Sequence, residues 1–327
     1  MIKVFVTGGT GYVGRHLIPA LIERGYSVTT LVREGSDIAN LKNKGVRLIY
    51  GDITKIDTLK DVENEDIDVV FHLACSLLPI SDSRVNVKGA KNIIEIFRRK
   101  KIKRFIYTSS ALVYEKGASN QIVNEEFPKR PLLKYGKQQR EVEEFLIHLH
   151  KGDGFPVVIL RFSEIFGGEG GFFAEYLEGI IKGKIPVIGN GRSNISMTYI
   201  GDAVSALLSS AERDDINGEV FNINIPEIIT INDMVNFICE KAGVKRPLHV
   251  PVPVTWIVAS VAMIAAKIIT KKPFLNYEIV RVATLKGGVR DISKAERRLG
   301  FKPRFLSIKE GVEDCYFSSR KGRKGVR

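Results

Sequence analysis

The sequence predicts an α/β protein, a doubly wound parallel sheet with a smaller, mostly helical second part. Three observations carry this. Residues 2–6 form a short apolar run that ends in a glycine-rich turn and an amphipathic stretch, giving the order strand, turn, helix. Short runs rich in β-branched residues recur at 27–32, 46–50, 69–73, 104–108 and 157–160, separated by helical segments, and that alternation calls for parallel strands covered on both faces. After Gly167 the rhythm gives way to glycine-rich loop and amphipathic helix, as where a second region is inserted.

The 327 residues, 44% of them apolar, suffice for a large core. We expect two joined parts: residues 1–163 with 196–224, and residues 164–195 with 225–317, followed by a basic tail at 318–327. The formal charge of +13 is concentrated. Arg320, Lys321, Arg323, Lys324 and Arg327 form a solvated end, with an anchor to an anionic surface as the alternative. A second cluster, Arg98, Arg99, Lys100, Lys101, Lys103 and Arg104, closes a predicted helix, where cations offset the dipole. Aromatic residues interleave with neither cluster, so nucleic acid is not an expected partner. Cys75, Cys239 and Cys315 lack metal-ligand spacing and read as small core residues in a reducing compartment. His16, His72, His148, His150 and His249 supply no metal set, and none is expected. With no charged leader ahead of the first strand, the expected location is the cytosol.

The turn reads Thr7-Gly8-Gly9-Thr10-Gly11-Tyr12-Val13-Gly14. Spacing Gly8, Gly11 and Gly14 three apart permits a tight turn and close helix–strand packing, and lets backbone amides approach a pyrophosphate. In the order strand, turn, helix it indicates a Rossmann dinucleotide site. The second strand ends Leu31-Val32-Arg33, with no acid before Glu34. An arginine there suits a ribose 2′-phosphate, which favours NADP over NAD, with Ser36 as helper; the alternative is a solvent-facing loop cation.

These motifs, with Asp52, Leu73-Ala74 and a Ser–Tyr pair, resemble the extended short-chain dehydrogenase/reductase family over residues 2–316. That group includes nucleotide-sugar epimerases and dehydratases, dihydroflavonol reductases and hydroxysteroid dehydrogenases. The resemblance implies that the Asp52 carboxylate lies by the adenine, that Leu73, Ala74, Phe162 and Ser163 lie by the nicotinamide side, that Ile53 and Ser109 also belong to the cofactor site, and that Asn86 is structural. It assigns Ser110 to bind the substrate oxygen and Tyr135 to carry its proton. The family's lysine four residues after the tyrosine is Gln139 here. Positions i and i+4 share a helix face, whereas Lys137 and Arg140 are displaced around it. Losing that lysine's field costs about 3–4 kcal/mol of phenolate stabilisation, or about 10²–10³ in basic fraction.

Two readings follow: an oxidoreductase or epimerase acting on a secondary alcohol or ketone, and a non-catalytic or redox-sensing cofactor binder. Within the enzyme reading, sugar-nucleotide members carry an arginine seven residues before the aspartate matching Asp202; this chain has Ile195, with Arg192 nearby. Residues 250–269 are apolar around much of a helix and, interrupted by Pro251, Pro253 and Lys267, are expected to cover a greasy substrate pocket rather than span a bilayer. Trp256 and the tail allow peripheral membrane contact. A homodimer through the helices around 84–99 and 135–150 is the expected assembly.

Overall fold

The computed structural model describes residues 1–42, 44–76, 85–114, 121–269, 277–284 and 287–318; Arg84 and the tail from Ser319 onward lie outside the described residues. The first alternation consists of β1 (Lys3–Thr7), α1 (Tyr12–Glu23), β2 (Ser27–Val32), β3 (Arg47–Tyr50), α2 (Lys60–Glu63), β4 (Val69–His72), α3 (Ala90–Arg98) and β5 (Arg104–Ser110). Next come β6 (Ile122–Val123), the long α4 (Lys134–Asp153), β7 (Val157–Phe162), β8 (Glu164–Phe166), α5 (Phe172–Ile181), β9 (Val187–Ile188), β10 (Asn194–Ile195) and β11 (Met197–Tyr199). The remainder is α6 (Ile200–Glu212), β12 (Val220–Ile223), β13 (Ile229–Thr230), α7 (Ile231–Ala242), β14 (His249–Val250), α8 (Val252–Ile269), α9 (Tyr277–Thr284), β15 (Val289–Arg290), α10 (Ser293–Leu299) and α11 (Ile308–Glu313).

Seven strands form one parallel sheet in the order β12-β7-β5-β4-β1-β2-β3. The chain winds outward from β1 to β3, then resumes at β4 on the other side of β1. That reversal opens a crevice beyond the carboxyl ends of β1 and β4, the place where doubly wound sheets bind ligands. Because side chains alternate, Val4 and Val6 enter one core with Leu17, Leu21 and Leu207, while Phe5 enters the other with Ile93, Phe97, Val142 and Leu146. Each fully buried leucine or phenylalanine contributes about 1.5–3 kcal/mol. A third cluster joins Phe173, Leu177, Met234, Ile238 and Val312 in the C-terminal part.

Several expectations change. The expected strand at 157–160 runs on to Phe162, pairing with β5 as far as Ser110. Met197–Tyr199, in the 196–224 segment assigned to the dinucleotide-binding part, pairs with β8 in a separate ribbon and not with the main sheet. Arg104 is no surface cation. As the first residue of β5 it is fully buried, and its guanidinium donates to the Ser210 carbonyl and the Asn217 side chain, both at 2.9 Å.

Helix α8 buries one side and leaves another open. Pro253 sits in its first turn, where a missing amide costs nothing. Thr255 and Ala259 are buried, but Val254, Ile257, Val258 and Val261, at i, i+3, i+4 and i+7, form an exposed apolar stripe. Among the described residues no helix is long and apolar enough to cross a membrane. A capping box opens α7, with reciprocal bonds between Thr230 and Asp233.

Candidate active site

The glycine turn is built for close approach. Gly8 has φ +75°, and a Cβ there would lie 2.8 Å from the Ala74 nitrogen; one on Gly14 would lie 2.3 Å from the Gly8 carbonyl oxygen. The Gly11 amide donates to that same oxygen at 2.9 Å, and α1 starts directly after Gly11 with no side-chain cap and no acid in its first turn. Uncapped amides at a positive helix end make an anion site, so Tyr12, Val13 and Gly14 fit a dinucleotide's pyrophosphate. Gly9 was not singled out in the sequence, yet a Cβ there would meet the Thr30 hydroxyl at 2.3 Å. Thr7 tethers the other wall: its hydroxyl is 2.9 Å from His72 Nδ1 and accepts from the Ala74 amide at 3.3 Å. Leu73 is buried.

At the far end of the crevice, the Asp52 carboxylate accepts from the amide and hydroxyl of Thr54, both at 2.8 Å. Partial burial opposes ionisation, but these bonds and the nearby Lys55 and Arg33 charges hold Asp52 below the usual carboxylate range. Arg33 is exposed and close enough for this influence, and Ser36 bonds back to its carbonyl at 3.1 Å. Ile53 packs its buried side chain beside Gly89.

The catalytic candidates sit on elements that pack together: α4, which carries Tyr135, lies against β5, β7 and the turn that follows Ser110. Gly136, immediately after Tyr135, lets the helix approach the 111–113 turn: a Cβ would lie 2.2 Å from the Leu112 carbonyl oxygen. Ser110 caps that turn by accepting from the Leu112 amide at 3.2 Å. Asn86 fixes the adjoining loop, accepting from the Ser76 amide at 2.7 Å and donating to its carbonyl at 2.9 Å and to Gln138 on α4 at 2.8 Å.

Tyr135 bonds with Gln139 one turn along the helix and with Cys75. Burial is the main influence on its phenol, which with Cys75 and Tyr107 drives the group well above its ordinary 10.0; the Gln139 bond pulls weakly the other way. No cation is among its largest influences. Cys75 itself is exposed but recessed, its thiol raised by desolvation. No sequence spacing marked Cys75, because it lies beyond β4, far along the chain from Tyr135.

The same face of α4 continues to Glu143. Tyr107, Ser109 and Arg161 all point toward α4, as alternation on β5 and β7 requires, with Ser109 and Arg161 paired in register. Arg161 donates to both Glu143 oxygens at 2.9 and 2.7 Å, and the Ser109 hydroxyl donates to Glu143 at 2.6 Å. This ion pair is fully buried, with Lys129 at 3.5 Å as a second, weaker cation. The Ser109 hydroxyl, expected as a cofactor contact, is thereby buried and engaged by Glu143. The Phe162 ring is likewise packed in the core, whereas Ser163 lies between β7 and β8 with its hydroxyl 3.1 Å from that of Ser196.

Fold and glycine turn together define a doubly wound, dinucleotide-binding enzyme. The chain belongs to the NAD dependent epimerase/dehydratase family, whose model matches residues 4–224, and it is an NAD(P)-dependent oxidoreductase or epimerase. A putative UDP-glucose 4-epimerase of Methanocaldococcus jannaschii is 28% identical over 95% of this chain and 96% of its own. A 3 beta-hydroxysteroid dehydrogenase/Delta 5-->4-isomerase of Mycobacterium tuberculosis is 25% identical over 96% and 89%. In fold the chain is similar to a UDP-glucose 4-epimerase of Thermotoga maritima solved with UDP-glucose, with a TM-score of 0.77 and 24% identity over 98% of this chain and 100% of that one.

Proposed function

We propose that the protein is an NADP-preferring reductase of an apolar ketone, with Tyr135 as the proton donor and Ser110 as the group that positions the substrate oxygen. The cofactor supplies a hydride when bound. The chain's own residues do the rest: first-turn amides of α1 hold the pyrophosphate, Asp52 meets the adenine, and Arg33 meets a ribose 2′-phosphate.

One observation carries the direction. Tyr135 rests on neutral Gln139 and Cys75, with its phenol well above 10.0 chiefly through burial, so at neutral pH it is a firm proton holder. A group of that kind donates to a developing alkoxide more readily than it abstracts from an alcohol. The test follows oxidation of NADPH and NADH with apolar ketones and with UDP-glucose over rising pH. Ketone turnover with NADPH is expected, and tight cofactor binding without turnover of any substrate refutes the reading.

A second reading, a nucleotide-sugar epimerase, is favoured by the full-length likeness to the Methanocaldococcus jannaschii relative. We further place the protein in the cytosol as a dimer through α3 and α4, with the apolar stripe of α8 as a peripheral membrane contact; sedimentation and vesicle flotation check these.

A further inference from the structure

Glu164 is a carboxyl group that the reaction described above does not use. It opens β8 two residues beyond Phe162, which pairs in register with Ser110, so it stands just past the substrate-binding serine at the carboxyl rim of the sheet. On its other side it is level with Met197 of β11, next to uncharged Ile195 and Ser196. Its side chain reaches solvent, yet the surrounding protein desolvates it enough to push its carboxyl up to about 7.

The groups around this carboxyl are named by their influence. Tyr12 from the glycine turn and Tyr316 near the end of the described chain are both raised in part by the Glu164 charge, and both are tied to Gly167: Tyr12 donates to its carbonyl and Tyr316 accepts from its amide at 2.8 Å. Arg15 and His16, on the same turn of α1, are directed to the 168–171 loop instead. Among the described residues Glu164 has neither an ion-pair nor a hydrogen-bond partner, and desolvation alone accounts for its shift. An ionised, uncompensated carboxylate in a recess repels a second anion placed beside it.

We infer that Glu164 determines substrate class, excluding diphosphate-bearing substrates from the cleft and admitting uncharged ones whose hydroxyl or amino group can bond to it. The inference rests on the reductase reading for the location of the substrate, and it decides between the two readings above.

The test titrates UDP into protein saturated with nicotinamide cofactor. At about pH 8, where a carboxyl of this kind is charged, wild type is expected to bind UDP roughly tenfold or more weakly than Glu164→Gln, with Glu164→Arg tighter still. At about pH 6 the wild-type affinity should approach that of Glu164→Gln, because protonation removes the repulsion. Comparison with Glu164→Gln cancels the titration of UDP itself. Equal binding by wild type and Glu164→Gln at about pH 8, or no binding by any variant, overturns the inference. Cofactor binding is read in a separate titration, so failure there strikes the reductase reading, and UDP titrations of the unloaded protein still report on Glu164.

Discussion

The Tyr107 hydroxyl donates to the side-chain oxygen of Gln139, so the amide is held with its nitrogen toward Tyr135. Position 139 thus delivers a directed hydrogen bond to the phenol, but no charge. Replacing it with lysine restores the missing field. Gln139→Lys is expected to make the phenol a stronger acid, raising kcat/KM for ketone reduction near neutral pH by about 10-fold, and to move the alkaline fall of the pH–rate profile downward. An unchanged profile in a folded variant contradicts the account of the lost charge.

Tyr135→Phe removes the proton carrier while keeping the ring. Turnover should fall at least about 10²-fold, with the cofactor dissociation constant unchanged in calorimetry. A comparable loss of cofactor binding would mean that the tyrosine holds the cofactor rather than the proton.

Gly14→Ala places a methyl 2.3 Å from a backbone oxygen that cannot yield cheaply. The expected result is loss of measurable cofactor heat and destabilisation of about 1–3 kcal/mol. Melting curves together with cofactor titration check both.

Glu143→Gln leaves the buried Arg161 guanidinium without its counter-charge. Burial works against that cation, and in the native protein the Glu143 bonds and charge more than compensate, holding it firmly protonated. The variant should lose about 3–5 kcal/mol in urea unfolding, whereas a nonpolar replacement of both partners should lose less.

Asp202 lies in the first turn of α6, bonded to the Arg304 amide at 3.0 Å, with its second oxygen buried and unpartnered. Burial raises its carboxyl to about 6 against the ordinary 3.8, with Arg304 opposing. The folded state therefore keeps a proton that the unfolded chain has shed between those values. Its ionisation weakens the fold above about pH 6, and that weakness is relieved as pH falls toward about 4. Asp202→Asn should remove this contribution, giving a flatter stability curve and about 2 kcal/mol more stability at neutral pH relative to the wild-type trend. Parallel curves for the two proteins would contradict the assignment.

The sheet and the glycine turn were legible because their signals are local: apolar runs with a period of two, and glycines where Gly8 and Gly14 admit no side chain. The Tyr135–Gln139 relation was legible for the same reason, as i and i+4 share a helix face. Cys75, Tyr107, Glu143 and Glu164 were not, since each acquires its role from an element distant in sequence. Arg104 misled because a cation ending a basic run resembles surface charge, and only the carbonyls of the 210–214 segment reveal that it is a buried clasp. The α8 stripe was not legible for a different reason: apolar content suggests burial but does not say which side is covered.

The contact between Gly136 and the Leu112 carbonyl is made by main chain on both sides. The spacing between the serine-bearing turn and the tyrosine's helix is consequently set by the frame, not by whichever side chain occupies position 139. Such a frame can accept a charged or a neutral tuner without being rebuilt, so basicity and geometry are free to vary independently in descendants of this scaffold.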